Sequence, residues 1–138
     1  MLATAYRAAL VTAACTRPRG ALLIRAQMVS SFPPQEQLPQ HLADMVDDLI
    51  SGDAQLFDVR EPVEAANGKL SASLLVPLSE LQDGSKPPHD TATLTYVHCA
   101  AGVRVHPASA ILSSMGFERV VPLQEGFATL ANLGFEVE

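Results

Sequence analysis

The chain has 138 residues, of which 48% are hydrophobic and 17% are charged, so it can close one hydrophobic core of ordinary domain size. No apolar run approaches the ~20 residues that a membrane-spanning helix needs, so we expect no membrane segment. The formal net charge is −6, and an acidic chain is poorly suited to bind nucleic acid.

Charge is divided unevenly between the two ends of the chain. Residues 1–35 contain four arginines and no acidic residue, whereas residues 36–138 carry five basic and fifteen acidic side chains. An alanine-rich and arginine-bearing start without acid is typical of an organellar transit peptide. We therefore expect residues 1–35 to be a plastid or mitochondrial transit peptide and linker, followed by a domain over residues 36–138. The alternatives are a disordered tail, or a start at Met28 and a cytoplasmic protein.

The chain has only two cysteines, and Cys15 lies in this leader. A processed chain would keep Cys99 alone, and a single thiol cannot form an internal disulfide. The histidines and Cys99 show no paired ligand spacing, so no metal site is expected.

The first half of the body alternates between helical and extended patterns. The segment HLADMVDDLISG has apolar residues at helical spacing and ends at Gly52, which predicts an amphipathic helix. The short apolar runs AQLFD and SLLVPL predict two buried strands, and LTYVHC predicts a third. Between the last two, Asp83-Gly84 and Pro87-Pro88 indicate an exposed loop.

The second half continues the alternation. The pattern from Val105 to Met115 predicts a helix, with Pro107 in its first turn and Gly116 just after its end. The run VVPL predicts a fourth strand, and EGFATLANLGF a last helix. Strands that alternate with helices favour a parallel sheet covered on both faces.

The motif HCAAGVR lies where the third strand gives way to a helix, which is where open α/β sheets place ligand sites. Small side chains and Gly102 allow backbone N–H groups to turn inward, and the helix near Val105 adds its positive end. Together with Arg104, these groups should stabilise a thiolate at Cys99 and make it nucleophilic. The alternative is an inert, buried cysteine.

From about Gln55 to Phe135 the chain resembles the rhodanese-like, or single-domain sulfurtransferase, family. The resemblance rests on LFDVREPVE with Gly68, then LLVPLSEL, VHCAAGVR, SMGF and VVPLQEGF, in the family's order. It implies an α/β rhodanese-like fold with a parallel five-stranded sheet and helices on both faces. It also implies that Cys99 is the catalytic residue and forms a persulfide.

The resemblance implies roles for further residues. Asp58 and Arg60 would support the active-site loop, or form only a structural ion pair. Sulfur transfer through this persulfide would need no cofactor. The partners of the protein would be a small sulfur donor and a thiol or protein acceptor, and the protein itself would be a monomer. The substrate-binding loop would comprise Ala100, Ala101, Gly102, Val103 and Arg104.

Two other functions stay open at this point. The chain departs from the family's usual residues at Lys69, Ser71, Val105, Glu125 and Leu130. The departures at Lys69, Ser71 and Val105 favour a rhodanese-like binding or redox-sensing module with little turnover. The second alternative is a cysteine phosphatase or an arsenate reductase. Cysteine phosphatases place five residues between cysteine and arginine, whereas this chain places four. A shorter loop forms a narrower cup, which suits one sulfur atom better than a phosphate.

Overall fold

A computed structural model describes residues 29–138. Its elements in chain order are a short 3-10 helix Gln35–Gln37, α1 Gln40–Ser51, β1 Ala54–Asp58, α2 Pro62–Ala66, β2 Leu74–Leu75, α3 Leu78–Gln82, β3 Leu94–His98, α4 Val105–Ser114, β4 Val120–Pro122 and α5 Phe127–Asn132. No helix in this range has both the length and the apolar character that crossing a bilayer requires.

The four strands form one parallel sheet in the order β2-β1-β3-β4. The register pairs Asp58 with His98 and Val97 with Pro122. Since all strands run the same way, their carboxyl ends meet at one edge, and the segments after β1, β3 and β4 are neighbours there.

Alternation along the strands sends side chains to two separate cores. Leu56 and Tyr96 pack on one face of the sheet, with apolar residues of α1 and α5. Phe57 and Val97 pack on the other face, with apolar residues of α3 and α4. The predicted parallel sheet with helices on both faces is therefore confirmed.

The predicted helix ends are also confirmed. Helix α1 stops at Gly52, whose φ of 85° is left-handed, and α4 is followed by Gly116 with a φ of 102°. Glycine adopts this conformation without the steric penalty of a Cβ, which explains why both helices end there.

The prediction of five strands is wrong in one respect, because residues 29–138 contain a four-stranded sheet. What forms instead is a single antiparallel bridge between Leu70 and Val137. The chain turns directly after Leu70, whose carbonyl accepts hydrogen bonds from the backbone N–H and the hydroxyl of Ser73. The main-chain pairing on either side of the bridge consists of two hydrogen bonds between Lys69 and Glu138 and one from the N–H of Ser71 to the carbonyl of Glu136.

The expectation that SLLVPL is a buried strand is also wrong for its first half. Only Leu74 and Leu75 are paired, and they are 40% and 37% exposed. Strand β2 is at the edge of the sheet, so its side chains have neighbours on one side only. The buried residues of the segment are Ser73 and Val76 to Leu78, and Val76 and Leu78 pack in the same core as the apolar residues of α4.

The packed body begins a few residues before the expected boundary at residue 36. The side chain of Phe32 is buried and meets Phe135 edge-on, with the ring centroids 5.8 Å apart. The backbone N–H of Glu136 donates to the carbonyl of Ser31 at 2.9 Å. The predicted transit peptide falls largely on residues 1–28, which lie outside the described part of the chain, and stays a prediction.

Candidate active site

Cys99 stands at the carboxyl end of β3, and the loop from Cys99 to Arg104 leads directly into α4. Neighbouring segments hold the start of this loop by main-chain hydrogen bonds. The carbonyl of His98 accepts the N–H of Val59 at 3.0 Å, and the carbonyl of Cys99 accepts the N–H of Phe127 at 2.8 Å. The loop is thus fixed between the segments that follow β1 and β4.

Backbone N–H groups surround the sulfur of Cys99. The N–H of Gly102 donates to Sγ at 3.1 Å, and the N–H groups of Ala101, Arg104 and Val105 also act on the sulfur and lower the pKa of the thiol. The residue itself is only 1% exposed. This arrangement is a cup of main-chain donors around a single sulfur atom.

The pKa of Cys99 reflects two opposing effects. Burial is the largest effect and raises the pKa, because a thiolate loses hydration in the interior. The backbone hydrogen bonds from Ala101, Val105, Arg104 and Gly102 lower it, and together they outweigh burial. The pKa therefore lies below its ordinary value, which increases the thiolate fraction at neutral pH.

Two glycines allow the loop to adopt this shape. Gly102 has a φ of 76°, and a Cβ there would lie closer than 3.0 Å to the carbonyl oxygen of Gln124. At Gly126 a Cβ would be closer than 3.0 Å to the carbonyl oxygen of Ala100. The loop and the segment before α5 are therefore in backbone-to-backbone contact.

The predicted substrate-binding residues have different positions in this loop. Ala100 and Ala101 are exposed at the mouth. Val103 is 70% exposed at the tip of the loop, and its carbonyl accepts the N–H of His106 at 3.3 Å. The donors to the sulfur include Val105, which the motif did not single out, and do not include Ala100 or Val103.

The Arg104 side chain reaches α2, where it forms an ion pair. Its Nη1 and Nη2 donate to the two carboxylate oxygens of Glu64 at 2.7 and 2.8 Å. This contact lowers the pKa of Glu64 to about 2, with the Arg104 hydrogen bond as the main cause. The guanidinium is thus already paired with an anion of the protein.

Asp58 and Arg60 form a buried ion pair beside the loop. Nη2 of Arg60 donates to Asp58 Oδ2 at 2.8 Å and to the carbonyl of Gly68, also at 2.8 Å. The guanidinium carbon also lies 4.0 Å from the centre of the Phe127 ring. Arg60 therefore contacts the residue whose N–H holds the carbonyl of Cys99.

His98 is fully buried behind Cys99, and both ring nitrogens lack a hydrogen-bond partner among the described residues. Its Nε2 lies 4.0 Å from Asp58 Oδ2. Burial is the main effect and lowers the pKa of His98, although the charge of Asp58 acts in the opposite direction. The imidazole is therefore neutral at pH 7.

Sequence reasoning missed two supporting residues, Glu64 and Phe127. Glu64 had a local signal, because Glu61 and Glu64 form a reciprocal capping box at the start of α2. Phe127 had none, since its contact with Arg60 joins distant parts of the chain.

Lys69, which departs from the family's usual residue, donates to the carbonyls of Leu70 and Ser73 and lies 2.9 Å from Glu138. Within residues 29–138 no group of three or more His, Cys, Asp or Glu could hold a metal ion.

Comparison with known proteins gives consistent matches. The model of the rhodanese-like domain family matches residues 41–132. A sulfurtransferase from Allochromatium vinosum is 33% identical over 103 residues, which cover 74% of this chain and 89% of that protein. A rhodanese-related protein from Thermoplasma volcanium is 29% identical with a TM-score of 0.58, over 70% of this chain and 92% of that one. Human single-domain sulfurtransferase TSTD1 shares the fold, with 24% identity and a TM-score of 0.58, over 66% of this chain and 92% of that one.

Replacing Gly126 by alanine tests whether its backbone contact holds the loop in shape. The added methyl group would push the carbonyl of Ala100 outward, so the N–H donors lose their alignment and the pKa of Cys99 rises. Overpacking of this kind also costs about 1–3 kcal/mol of unfolding free energy. The pH dependence of alkylation by iodoacetamide measures the pKa. Gly84→Ala is the control, because a Cβ there meets open space and only the backbone is strained. An alkylation pKa in Gly126→Ala equal to that of the native protein contradicts the expectation.

The buried neutral His98 makes stability depend on pH. Because its pKa in the folded protein lies below the unfolded value of 6.5, its contribution is complete above pH 6.5 and is lost as the pH falls further. Between pH 7.5 and 5.5 the native protein should lose at most about 1.4 kcal/mol through this group. Urea unfolding at both pH values measures the difference, which should be smaller in His98→Gln. His106→Gln, at an exposed position of α4, is the control for the removal of a histidine. A pH dependence of stability in His98→Gln equal to that of the native protein would refute the assignment.

Proposed function

Since the chain belongs to the rhodanese-like domain family, we propose that it is a single-domain sulfurtransferase that carries a sulfane sulfur on Cys99. The donor is thiosulfate or a persulfide, and the acceptor is a thiophilic small molecule or protein thiol. The observation that carries the proposal is the set of four backbone N–H donors around one buried sulfur. Backbone N–H groups in this position stabilise an anionic sulfur.

The proposed cycle has two transfers. The Cys99 thiolate attacks the outer sulfur of the donor, so a bond from Sγ to that sulfur forms and the donor's sulfur–sulfur bond breaks. The leaving group departs with the electron pair, as sulfite from thiosulfate or as a thiolate from a persulfide. The acceptor thiolate then attacks the terminal sulfur of the Cys99 persulfide and restores the Cys99 thiolate. No metal or organic cofactor takes part in these steps.

The residues of the loop have different roles in this cycle. The N–H groups of Ala101, Gly102, Arg104 and Val105 lower the pKa of the attacking thiol in the free protein. After the first transfer, the same cup lies next to the terminal sulfur and stabilises its negative charge. Val103 and the exposed Ala100 line the path by which donor and acceptor approach.

A persulfide on Cys99 is the direct test of the proposal. After reduction and incubation with fresh thiosulfate or cysteine persulfide, the mass of the intact protein should increase by one sulfur atom. Cyanide or a thiol should remove this sulfur. Cys99→Ser should show neither the adduct nor turnover, because a hydroxyl is far less ionised at neutral pH. An unmodified native protein with both donors would instead favour a rhodanese-like binding or redox-sensing module.

Loop length separates sulfur transfer from phosphate hydrolysis. One glycine inserted between Gly102 and Val103 would restore five residues between cysteine and arginine, and would move the Arg104 and Val105 donors away from Sγ. We expect this variant to lose persulfide formation, measured by mass spectrometry, while circular dichroism shows that it still folds. The native protein should not hydrolyse a small aryl phosphate. Undiminished sulfur transfer by the insertion variant, with aryl phosphate cleavage through Cys99 in the native protein, would show that loop length does not set the chemistry.

A further inference from the structure

The contact between Arg104 and Glu64 bears on which sulfur donors this site accepts. Arg104 is the only cationic side chain of the loop, and both its terminal nitrogens are bound to the Glu64 carboxylate at 2.7 and 2.8 Å. An anionic donor that uses this guanidinium must compete with a carboxylate already in place. Paired with Glu64, Arg104 does not supply a free positive charge at the mouth of the cup.

Glu64 is held in position by its own helix. Its Oε2 also accepts the backbone N–H of Glu61 at 2.9 Å, as part of the capping box that starts α2. The Glu61 carboxylate is fixed in turn by the hydroxyl of Ser79, at 2.7 Å. The carboxylate facing Arg104 is therefore part of a connected structure and not a mobile surface group.

The charged side chains of Arg60, Asp58 and Glu61 add no net positive charge to the Arg104–Glu64 pair. Arg60 is bound to Asp58, so these two charges cancel in the same way as Arg104 and Glu64. The Glu61 carboxylate accepts hydrogen bonds only from neutral groups among residues 29–138. These five side chains sum to one negative charge, which repels a dianion.

An exposed valine comes directly before each member of the ion pair in the chain. Val63 precedes Glu64, Val103 precedes Arg104, and each valine is 70% exposed. The organic carbon of a thiol persulfide suits such a surface, and its anionic sulfur suits the N–H cup. Thiosulfate has three sulfonate oxygens in place of that carbon and would bring them close to Glu64 and Glu61.

We propose that Glu64 is a specificity-determining residue that selects against dianionic donors such as thiosulfate and in favour of thiol persulfides. It does so by occupying Arg104 and by leaving the mouth of the cup with negative charge. This inference deepens the proposed sulfurtransferase function and rests on it. Glu64 itself takes part in no bond-making step.

Glu64→Gln tests the proposal, since glutamine keeps the shape and the capping function of the side chain. Single-turnover persulfidation of Cys99, followed by mass spectrometry at increasing donor concentrations, gives a maximal rate and a half-saturating concentration. For thiosulfate we expect the half-saturating concentration to fall about 3- to 10-fold with little change in the maximal rate. For cysteine persulfide, whose carboxylate and ammonium cancel, the expected change is less than about twofold. The preference for persulfide over thiosulfate should therefore shrink.

Salt provides a readout that a purely structural role of Glu64 would not affect. Added salt should lower the half-saturating concentration of thiosulfate for the native protein, and by less for Glu64→Gln, because screening weakens repulsion. Glu118→Gln is the matched control, since it removes the same charge at the opposite end of the sheet and should keep the native donor preference. If Glu64→Gln does not fold, the salt dependence of the native protein still tests the proposal. A half-saturating concentration of thiosulfate that rises with salt would mean that the mouth of the cup is cationic, and would overturn the proposal.

Different results would contradict the role of Glu64 and the sulfurtransferase function. If Cys99 gains sulfur from both donors but Glu64→Gln keeps the native preference, the role of Glu64 is wrong and the sulfurtransferase function stands. If Cys99 gains sulfur from neither donor in the native protein or in Glu64→Gln, the sulfurtransferase function is wrong and the role of Glu64 falls with it.

Discussion

The site depends on backbone N–H groups that converge on one buried sulfur atom. Burial alone would keep Cys99 as a neutral thiol, because a thiolate without hydration or partners is unstable in the interior. The donors of the loop offset this penalty and lower the pKa of the thiol. Because they belong to the main chain, the geometry depends on the course of the backbone, and hence on Gly102 and Gly126, where a side chain would collide with neighbouring carbonyls.

A buried ion pair connects this loop to the rest of the sheet. Arg60 joins the end of β1, through Asp58, to the turn at Gly68 and to the ring of Phe127. The N–H of Phe127 in turn holds the carbonyl of Cys99. Burying two charges is costly, and removal of either partner would leave the other unpaired. The buried pair therefore contacts a residue that holds the Cys99 loop, while the more exposed pair joins Arg104, the last residue of the loop, to Glu64 of α2.

The parallel register explains why distant motifs meet at this site. Asp58 lies opposite His98, so the segment DVRE emerges beside HCAAGVR although Asp58 and His98 are forty positions apart in the chain. The same topology explains two errors of prediction. Strand β2 is an edge strand of two residues and so is exposed, and Leu70 pairs with Val137 in one antiparallel bridge just before the chain turns. Apolar composition does not distinguish an edge strand from a central one, because it reports hydrophobicity and not position in the sheet.

The sequence by itself determined the alternation of strands and helices, the glycines that end α1 and α4, the placement of Cys99 at a strand end, and the rhodanese-like family. These features follow from local rules: periodicity, glycine at helix ends, and a motif whose residues are contiguous. Only the tertiary structure decided that Arg104 is paired with Glu64, that Gly126 packs on the carbonyl of Ala100, and that Phe32 belongs to the core. Each of these contacts joins segments far apart in the chain, and the energy of such a contact exists only once the sheet has brought the segments together.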